Sequence, residues 1–193
     1  MKRRCWRSVV GVIAIALGCW VGAQAQTAVA ASAPAASAPS ALSSLAVLDF
    51  ELVDERNNPL THAAEVVRLH DATVHLRQEL ADRQLYRVVD PAPAQALLQK
   101  LRDQQEYLYR CDDCAEQIGK ALGVDLVMVT WVQKVSELIL NLNVQIYDVK
   151  AQRVVFTKSV DMRGNNDVSW RRAVPYLVRD MAEKRARNPR YGL

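Results

Sequence analysis

Two cysteines in a C-x-x-C arrangement, Cys111 and Cys114, carry the most specific chemistry of this chain. Such a pair can act in thiol-disulfide exchange, contribute to a metal site or close a structural disulfide. Haem attachment requires His directly after the second cysteine, where Ala115 stands, and tetrahedral zinc needs four ligands where two thiols are present. The acidic Asp112 and Asp113 lie between the two cysteines, and nearby negative charges disfavour a thiolate. We therefore predict a structural disulfide. Thiol-disulfide exchange is the alternative.

A second set of residues has the chemistry of a ligand or partner surface: Asp49, Glu51, Lys134, Asn141, Asn143, Arg163, Asn165 and Trp170. Asp49 and Glu51 alternate with apolar residues, so they are expected to share one strand face. They are either a functional pair of carboxylates or ordinary residues of the solvent-exposed side of the strand. The sequence contains no nucleophile, base and orienting group in a recognisable pattern, and no glycine-rich phosphate loop. We therefore predict a protein that is not an enzyme and that needs neither a cofactor nor a metal.

The first 25 residues have the layout of a secretory signal peptide. Four basic residues, ending at Arg7, precede an apolar run from Val9 to Leu17, and the small-residue site Ala23-Gln24-Ala25 follows. The run is shorter than the roughly 20 apolar residues of a membrane-spanning helix. We therefore predict cleavage before Gln26 and a periplasmic location. The segment Ala16-Leu17-Gly18-Cys19 leaves a lipoprotein as the alternative, in which Cys19 is acylated and the chain sits on a membrane.

Removing this leader changes the charge of the chain. The full sequence has 25 Lys and Arg against 21 Asp and Glu, but residues 1–25 hold four of the basic residues and no acidic one. The mature chain is therefore neutral overall, which argues against nucleic-acid binding. Because Cys5 and Cys19 also lie in the leader, Cys111 and Cys114 are the pair that remains in an oxidising compartment.

Composition divides the mature chain into three parts. Residues 26–44 are almost entirely Ala, Ser and Pro, and such a segment has too little apolar surface to fold, so we predict a flexible linker. Residues 45–185 have the size of one domain. Residues 186–193 are predicted to form a basic tail after the last helix.

Hydrophobic periodicity predicts the order strand, helix, strand, two helices, three strands and helix within that domain. The predicted elements are a strand Leu45–Leu52, a helix His62–Arg83, a strand Leu85–Val89, a helix after Asp90-Pro91, a helix Asp113–Leu122, strands Asp125–Val135, Glu137–Asp148 and Arg153–Met162, and a helix from Asn166. The inward stripe of the first helix is predicted to comprise Val66, Leu69, Thr73, Leu76 and Leu80.

The middle strand of the final three shows the clearest pattern. Leucine, valine and isoleucine alternate with Asn141, Asn143, Gln145 and Tyr147, which predicts one buried face and one face in water. Thr157 and Ser159 of the next strand are expected to extend this polar face. The order of elements predicts an α+β fold with two layers, in which helices pack on one face of a mixed sheet of about five strands.

Several short motifs occur together between Ala46 and Val178. They are Cys111-x-x-Cys114, Gly119, Leu122-Gly123-Val124-Asp125, Val132-Gln133-Lys134-Val135-Ser136, Leu138-Ile139-Leu140-Asn141, Arg163-Gly164-Asn165 and Ser169-Trp170. In combination they resemble a bacterial family of exported proteins that is catalogued as a domain of unknown function. More distantly, that family resembles the periplasmic domain of the curli-secretion channel and the TolB amino-terminal domain. The acidic Asp112 and Asp113 depart from the family pattern, in which small residues separate the cysteines.

The resemblance implies a role in contacts with other proteins, because the two distant relatives work in that way. It also suggests an association with a periplasmic quinoprotein dehydrogenase or an envelope assembly system, since the family occurs in gene neighbourhoods of quinoprotein alcohol dehydrogenases. Our hypothesis is an exported accessory or binding protein with an envelope protein as partner. The alternatives are a thiol-disulfide oxidoreductase using Cys111 and Cys114, and a carrier of a small ligand near Asp49, Lys134 and Arg163.

Overall fold

The structure, a computed structural model, describes residues 42–54, 56 and 58–193. The predicted signal peptide, Cys19 and residues 26–41 of the predicted linker lie outside these residues. Among the described residues, no helix is both long enough and apolar enough to cross a bilayer.

Six strands and four helices form the fold. In chain order they are β1 (Ser44–Val47), β2 (Glu51–Asp54), α1 (Pro59–Asp82), β3 (Arg87–Val89), α2 (Gln95–Gln104), α3 (Cys114–Leu122), β4 (Leu126–Ser136), β5 (Ile139–Asp148), β6 (Arg153–Arg163) and α4 (Asp167–Arg187). Two short 3-10 turns, Ala92–Ala94 and Leu108–Arg110, precede α2 and α3.

All six strands belong to one sheet in the order β3-β1-β4-β5-β6, with β2 pairing with β4 beyond the end of β1. The pairs that involve β1 and β2 are parallel, whereas β4, β5 and β6 form an antiparallel meander. The α+β class and the mixed sheet are therefore confirmed. The sheet has six strands rather than about five because the predicted first strand is divided into β1 and β2.

An extra residue causes this division. Val47 pairs with Met128 and Glu51 with Trp131, so the first strand has one residue more than β4 between these two pairs. Two buried threonine hydroxyls bind the backbone at the break, because Thr73 accepts from the Phe50 amide and Thr130 donates to the Leu48 carbonyl. After the extra residue, each side chain of β2 points to the sheet face opposite to the one that simple alternation from β1 would give, as happens at a β-bulge.

The helices cover both faces of the sheet, which corrects the prediction that they pack on one face. The first face packs against α1 and α4 through residues that include Leu45, Val47 and Met128. The second face packs against α2 and α3 through Ala46 and Val127. Successive residues of β1 and β4 therefore enter two separate hydrophobic cores.

Coverage of the two faces is unequal. The first face lies under α1 and α4, which have 24 and 21 residues and so measure roughly 36 and 32 Å. The second face has only α2 and α3, with 10 and 9 residues. These short helices pack on β1 and β4 and reach no further than Tyr147 and Val149 at the end of β5. The remainder of β5 and β6 on this face has no helix over it within residues 58–193.

Close approach at Gly119 brings α3 to the end of β5. A Cβ atom at this position would lie 2.2 Å from Cγ2 of Val149, and a branched valine side chain has little freedom to move. Gly123 then ends α3 in the left-handed conformation, as its position after the last helical residue predicts.

The chain end packs back onto the domain. Tyr86 donates a hydrogen bond to the Gly192 carbonyl, and Arg185 donates to the Tyr191 carbonyl. The Tyr191 ring meets Phe156 edge to face, with 5.3 Å between the ring centroids. Part of the predicted tail 186–193 therefore contacts the first core.

Candidate functional site

A buried ion cluster surrounds Lys134, which was predicted as a surface residue. The Lys134 residue is 3% exposed, and its Nζ lies 2.7 Å from a Glu65 oxygen, 2.7 Å from Glu137 and 3.1 Å from Asp54. Thr61 accepts a further hydrogen bond from the same nitrogen at 3.0 Å. Four elements of the chain therefore meet at one ammonium group: β2, α1, β4 and the turn between β4 and β5.

The protonation of this cluster follows from its charges. Burial alone would lower the pKa of Lys134, but hydrogen bonds to Glu137, Glu65 and Asp54 outweigh it and raise the pKa above its ordinary value. Burial raises the pKa of Asp54, and the hydrogen bond from Lys134 reverses this, so that the pKa of Asp54 is below its ordinary value. Lys134 is therefore charged and already bound by the chain's own carboxylates.

Asn165 and Trp170 extend the cluster to α4. The Asn165 amide nitrogen donates to Glu65 Oε1 at 2.6 Å and to Glu137 at 2.9 Å, while its oxygen accepts from the Trp170 indole N–H at 3.0 Å. Arg68 of α1 also donates to Asn165, at 3.2 Å. Glu65 is fully buried, and its second oxygen has no hydrogen-bond partner among the described residues.

Glu65 also corrects the predicted stripe of α1. Val66 is 49% exposed, and the inward position belongs to Glu65, directly before it. The apolar pattern predicted that Val66 faces the core. Glu65 takes this place because the ammonium of Lys134 neutralises its buried carboxylate.

Asp49 and Glu51 have different hydrogen-bond partners, because the extra residue at the strand break separates their directions. Asp49 contacts Arg77 of α1 at 2.9 Å and Arg102 of α2 at 3.8 Å. Glu51 turns to the second face and accepts from the Leu108 amide at 3.0 Å. Burial raises the pKa of Glu51 to about 6, although the hydrogen bond from Leu108 and the charge of Arg102 lower it.

Aromatic rings lie beside this contact. Tyr109, in the Leu108–Arg110 turn, stacks on Trp131 of β4 with 4.4 Å between the centroids and 9° between the planes. Tyr107 lies 5.7 Å from Tyr109, and the Arg110 guanidinium is 5.3 Å from each tyrosine centroid. We call Tyr107, Tyr109, Arg110 and Trp131 the aromatic cluster.

The aromatic cluster borders the part of the second face that has no helix over it. The sheet register places Trp131 beside Asn143, and Asn143 beside Ser159. Gln145 pairs with Thr157 in the next row. We call Asn141, Asn143, Gln145 and Thr157 the uncovered face; Asn143 is only 9% exposed, whereas Thr157 is exposed. Its amides are partly engaged, since Asn141 donates to Asp161 at 2.6 Å and Asn143 donates to the Asn141 carbonyl at 2.9 Å.

Cys111 and Cys114 form a disulfide between the Leu108–Arg110 turn and the first residue of α3. Cys114 is 1% exposed and packs in the second core, and Cys111 is half-buried. The bond therefore holds the turn that carries Tyr109 and Arg110 to a packed helix, while Glu51 holds the same turn to the sheet.

The predicted site residues thus occupy several places. Lys134, Asn165 and Trp170 meet in the buried ion cluster, whereas Asn141 and Asn143 lie on the uncovered face. Arg163 is exposed at the end of β6, where its carbonyl accepts from Ser169 Oγ. Sequence reasoning did not identify Glu65 or the aromatic cluster. The alternation of β4 puts Trp131 on the face of Val127, and this was the available signal for the cluster.

A family model named DUF3280, with the description "Protein of unknown function (DUF2380)", matches residues 43–181. This match confirms the predicted resemblance to a family of unknown function. No curated protein matches the chain.

Three solved structures illustrate the similarity at the level of structure. The LpoB C-terminal domain from Salmonella enterica is 17% identical with a TM-score of 0.43, over 66% of this chain and 87% of that one. The PelC dodecamer from Paraburkholderia phytofirmans is 13% identical with a TM-score of 0.41, over 78% and 89%. TolB from Acinetobacter baumannii is 14% identical with a TM-score of 0.42, over 79% of this chain and 30% of that one.

Replacing the buried ammonium tests the ion cluster. We expect Lys134→Met to lower the free energy of unfolding by about 3–5 kcal/mol, because it leaves the Glu65 and Asp54 carboxylates buried without their cation. The double variant Lys134→Met/Glu65→Leu should recover part of this loss. Urea denaturation followed by circular dichroism measures both variants. Lys120→Met, which removes an exposed pair with Glu116, is the control and should leave the midpoint almost unchanged. Equal effects of Lys134→Met and Lys120→Met would contradict the cluster.

The raised pKa of Glu51 predicts a pH dependence of stability. The pKa of Glu51 is about 6 in the folded chain, whereas in the unfolded chain it returns to its ordinary value of 4.5. The free energy of unfolding should therefore fall as the pH rises between these values. Glu51→Gln keeps an acceptor for Leu108 and should abolish this decline, which is worth roughly 1 kcal/mol given the partial exposure of the side chain. Urea denaturation at pH 4.5, 5.5 and 7 measures the difference, and parallel pH profiles for the two proteins would refute it.

Proposed function

The chain belongs to the DUF3280 family of proteins of unknown function, and from its geometry we propose that it is a non-enzymatic accessory protein of the bacterial envelope that binds another protein. The contact surface in this proposal is the aromatic cluster together with the uncovered face. An envelope assembly system or a periplasmic quinoprotein dehydrogenase is the class of partner that the sequence resemblance favours.

One observation carries the proposal: a stacked Tyr109–Trp131 pair borders a part of the sheet face that no helix of the described residues covers. Tyrosine, tryptophan and arginine are the residues most enriched among those that dominate binding energy at protein interfaces. The neighbouring amides and hydroxyls of Asn141, Gln145 and Thr157 are suited to the polar rim of such an interface. The surface also stays compatible with water before a partner binds.

The anchoring of the cluster supports the same proposal. The Leu108–Arg110 turn is held by the Glu51 carboxylate on one side and by the disulfide on the other. Rings that are already ordered lose less conformational entropy when they bind. A turn with two anchors therefore suits a recognition surface better than a catalytic loop that must move.

The proposed location is the periplasm. It rests on the leader of residues 1–25, with cleavage before Gln26, and on a disulfide that fits an oxidising compartment. Mass spectrometry of the exported chain distinguishes the soluble form, beginning at Gln26, from a form acylated at Cys19.

The alternative is thiol-disulfide exchange at Cys111 and Cys114. Its reactive sulfur would have to be accessible and stabilised as a thiolate. Cys114 is instead packed in the second core, and the acidic Asp112 and Asp113 separate the two cysteines in the sequence. A small-ligand carrier at Lys134 is also disfavoured, because Glu65, Asp54 and Glu137 already bind its ammonium.

Crosslinking in cells tests the contact surface. A photoreactive amino acid at Gln145, on the uncovered face, should give a discrete crosslinked envelope protein. The same group at Arg179, exposed on α4, is the matched control and should not give this crosslinked product.

Tyr109→Ala should reduce the crosslink from Gln145 by about tenfold or more, as loss of a central aromatic contact does. Tyr109→Phe keeps the stacked ring and should restore most of it. Identical products from both positions, or a full crosslink in Tyr109→Ala, would contradict the proposal.

A redox assay separates the alternative. We expect the purified chain to give no insulin reduction above the dithiothreitol background, because its disulfide serves the fold. Its reduction potential should also lie with the structural disulfides, below about −300 mV. Catalytic turnover that disappears in Cys111→Ser would favour the oxidoreductase.

A further inference from the structure

We propose that the outer edge of β6, together with α4, binds an extended acidic segment of a partner protein as an added strand. β6 is the last strand of the sheet, and nothing in residues 42–54, 56 or 58–193 pairs with its outer side. Its 11 residues form a long edge, whereas β3 at the opposite edge has three. A long unpaired edge offers a row of backbone donors and acceptors to another extended chain.

A groove runs along this edge between β6 and α4. It has a volume of about 540 Å³, and its wall on the strand side is formed by Lys158–Arg163. Ser169, Arg172 and Tyr176 of α4 form the opposite wall. The strand side spans six residues, which matches an extended peptide of about six residues at roughly 3.3 Å each.

The floor of the groove is apolar and its rim is basic. Val160, Met162 and Ala173 are buried beneath it. Arg163 and Arg172 are exposed at the rim, and neither has a carboxylate partner within the described part of the chain.

The other charges of the groove are already paired. Lys158 lies 2.9 Å from Asp180 of α4, and Asp161 accepts from the Asn141 amide. Two free guanidinium groups therefore determine the charge that an incoming strand meets. They favour carboxylate side chains in that strand, and the apolar floor favours aliphatic side chains that face α4.

The groove adjoins the uncovered face at β6, where Asn141 donates to Asp161, but it does not include the aromatic cluster. The groove opens at the edge of β6 beside α4, whereas the aromatic cluster lies on the second face beside β4. Tyr109→Ala leaves Arg163 and Arg172 in place, so either proposal can fail without the other.

Fluorescence anisotropy with the purified mature chain tests the proposal. The probe is a fluorescein-labelled hexapeptide of alternating Asp and Val. One comparison peptide has Lys in place of Asp, and another has N-methyl groups on alternate backbone amides, which cannot donate to a strand edge. We expect saturable binding of the acidic peptide alone, with backbone amides of β6 becoming protected from hydrogen exchange.

Variants assign the binding to the groove. Arg163→Ala/Arg172→Ala should weaken binding of the acidic peptide by about tenfold or more, since it removes both charge-assisted contacts. Arg171→Ala is the matched control, because Arg171 is also exposed on α4 but lines the cleft between α1 and α4. Equal binding of the Lys or N-methyl peptide, equal loss in Arg171→Ala, or occupation of the edge by a second copy of the chain in sedimentation experiments would each overturn the proposal.

Discussion

The alternation of side chains along β4 determines how the layers of this fold are arranged. Because successive residues of a strand point to opposite faces, this central strand requires a hydrophobic layer on each side. Met128 faces the core under α1 and α4, and Val127 faces the core under α2 and α3. The first layer has two long helices and is complete. The second has two short helices, which cover β1 and β4 but leave most of β5 and β6 open to water.

The uncovered face exists because α2 and α3 are too short to reach across β5 and β6. On this face the strands carry polar residues in place of apolar ones. β5 buries Leu140, Leu142 and Val144 on the first face and places amides on the second. At the boundary between covered and open strands, the Leu108–Arg110 turn puts Tyr109 over Trp131. The disulfide and Glu51 keep this turn in place, and so they position the half-buried rings of the aromatic cluster. The buried ion cluster lies near the carboxyl end of β4, where it joins α1 and the start of α4.

Much of the fold could be predicted from periodicity, because the long elements repeat their pattern many times. The meander of β4, β5 and β6 and the end of α3 at Gly123 are examples. The strand break could not be predicted, because the extra residue between Val47 and Glu51 leaves the apolar pattern of the strand unchanged and is visible only in the pairing with β4. Glu65 could not be assigned to the core because its partner Lys134 is distant in sequence and both residues are typical of surfaces. The site was predicted as residue types, but the register that places Trp131 beside Asn143 comes from the pairing of strands.

Hydroxyl-radical footprinting of the chain, in living cells and after purification, shows whether a partner covers the aromatic cluster. Oxidation of Tyr109 and Trp131 is measured by mass spectrometry, with the exposed Tyr176 of α4 as the internal reference. If the aromatic cluster is a contact surface, Tyr109 and Trp131 should be protected in cells and oxidised in the purified chain, while Tyr176 behaves alike in both. Equal oxidation of Tyr109 and Trp131 in the two settings would contradict this account.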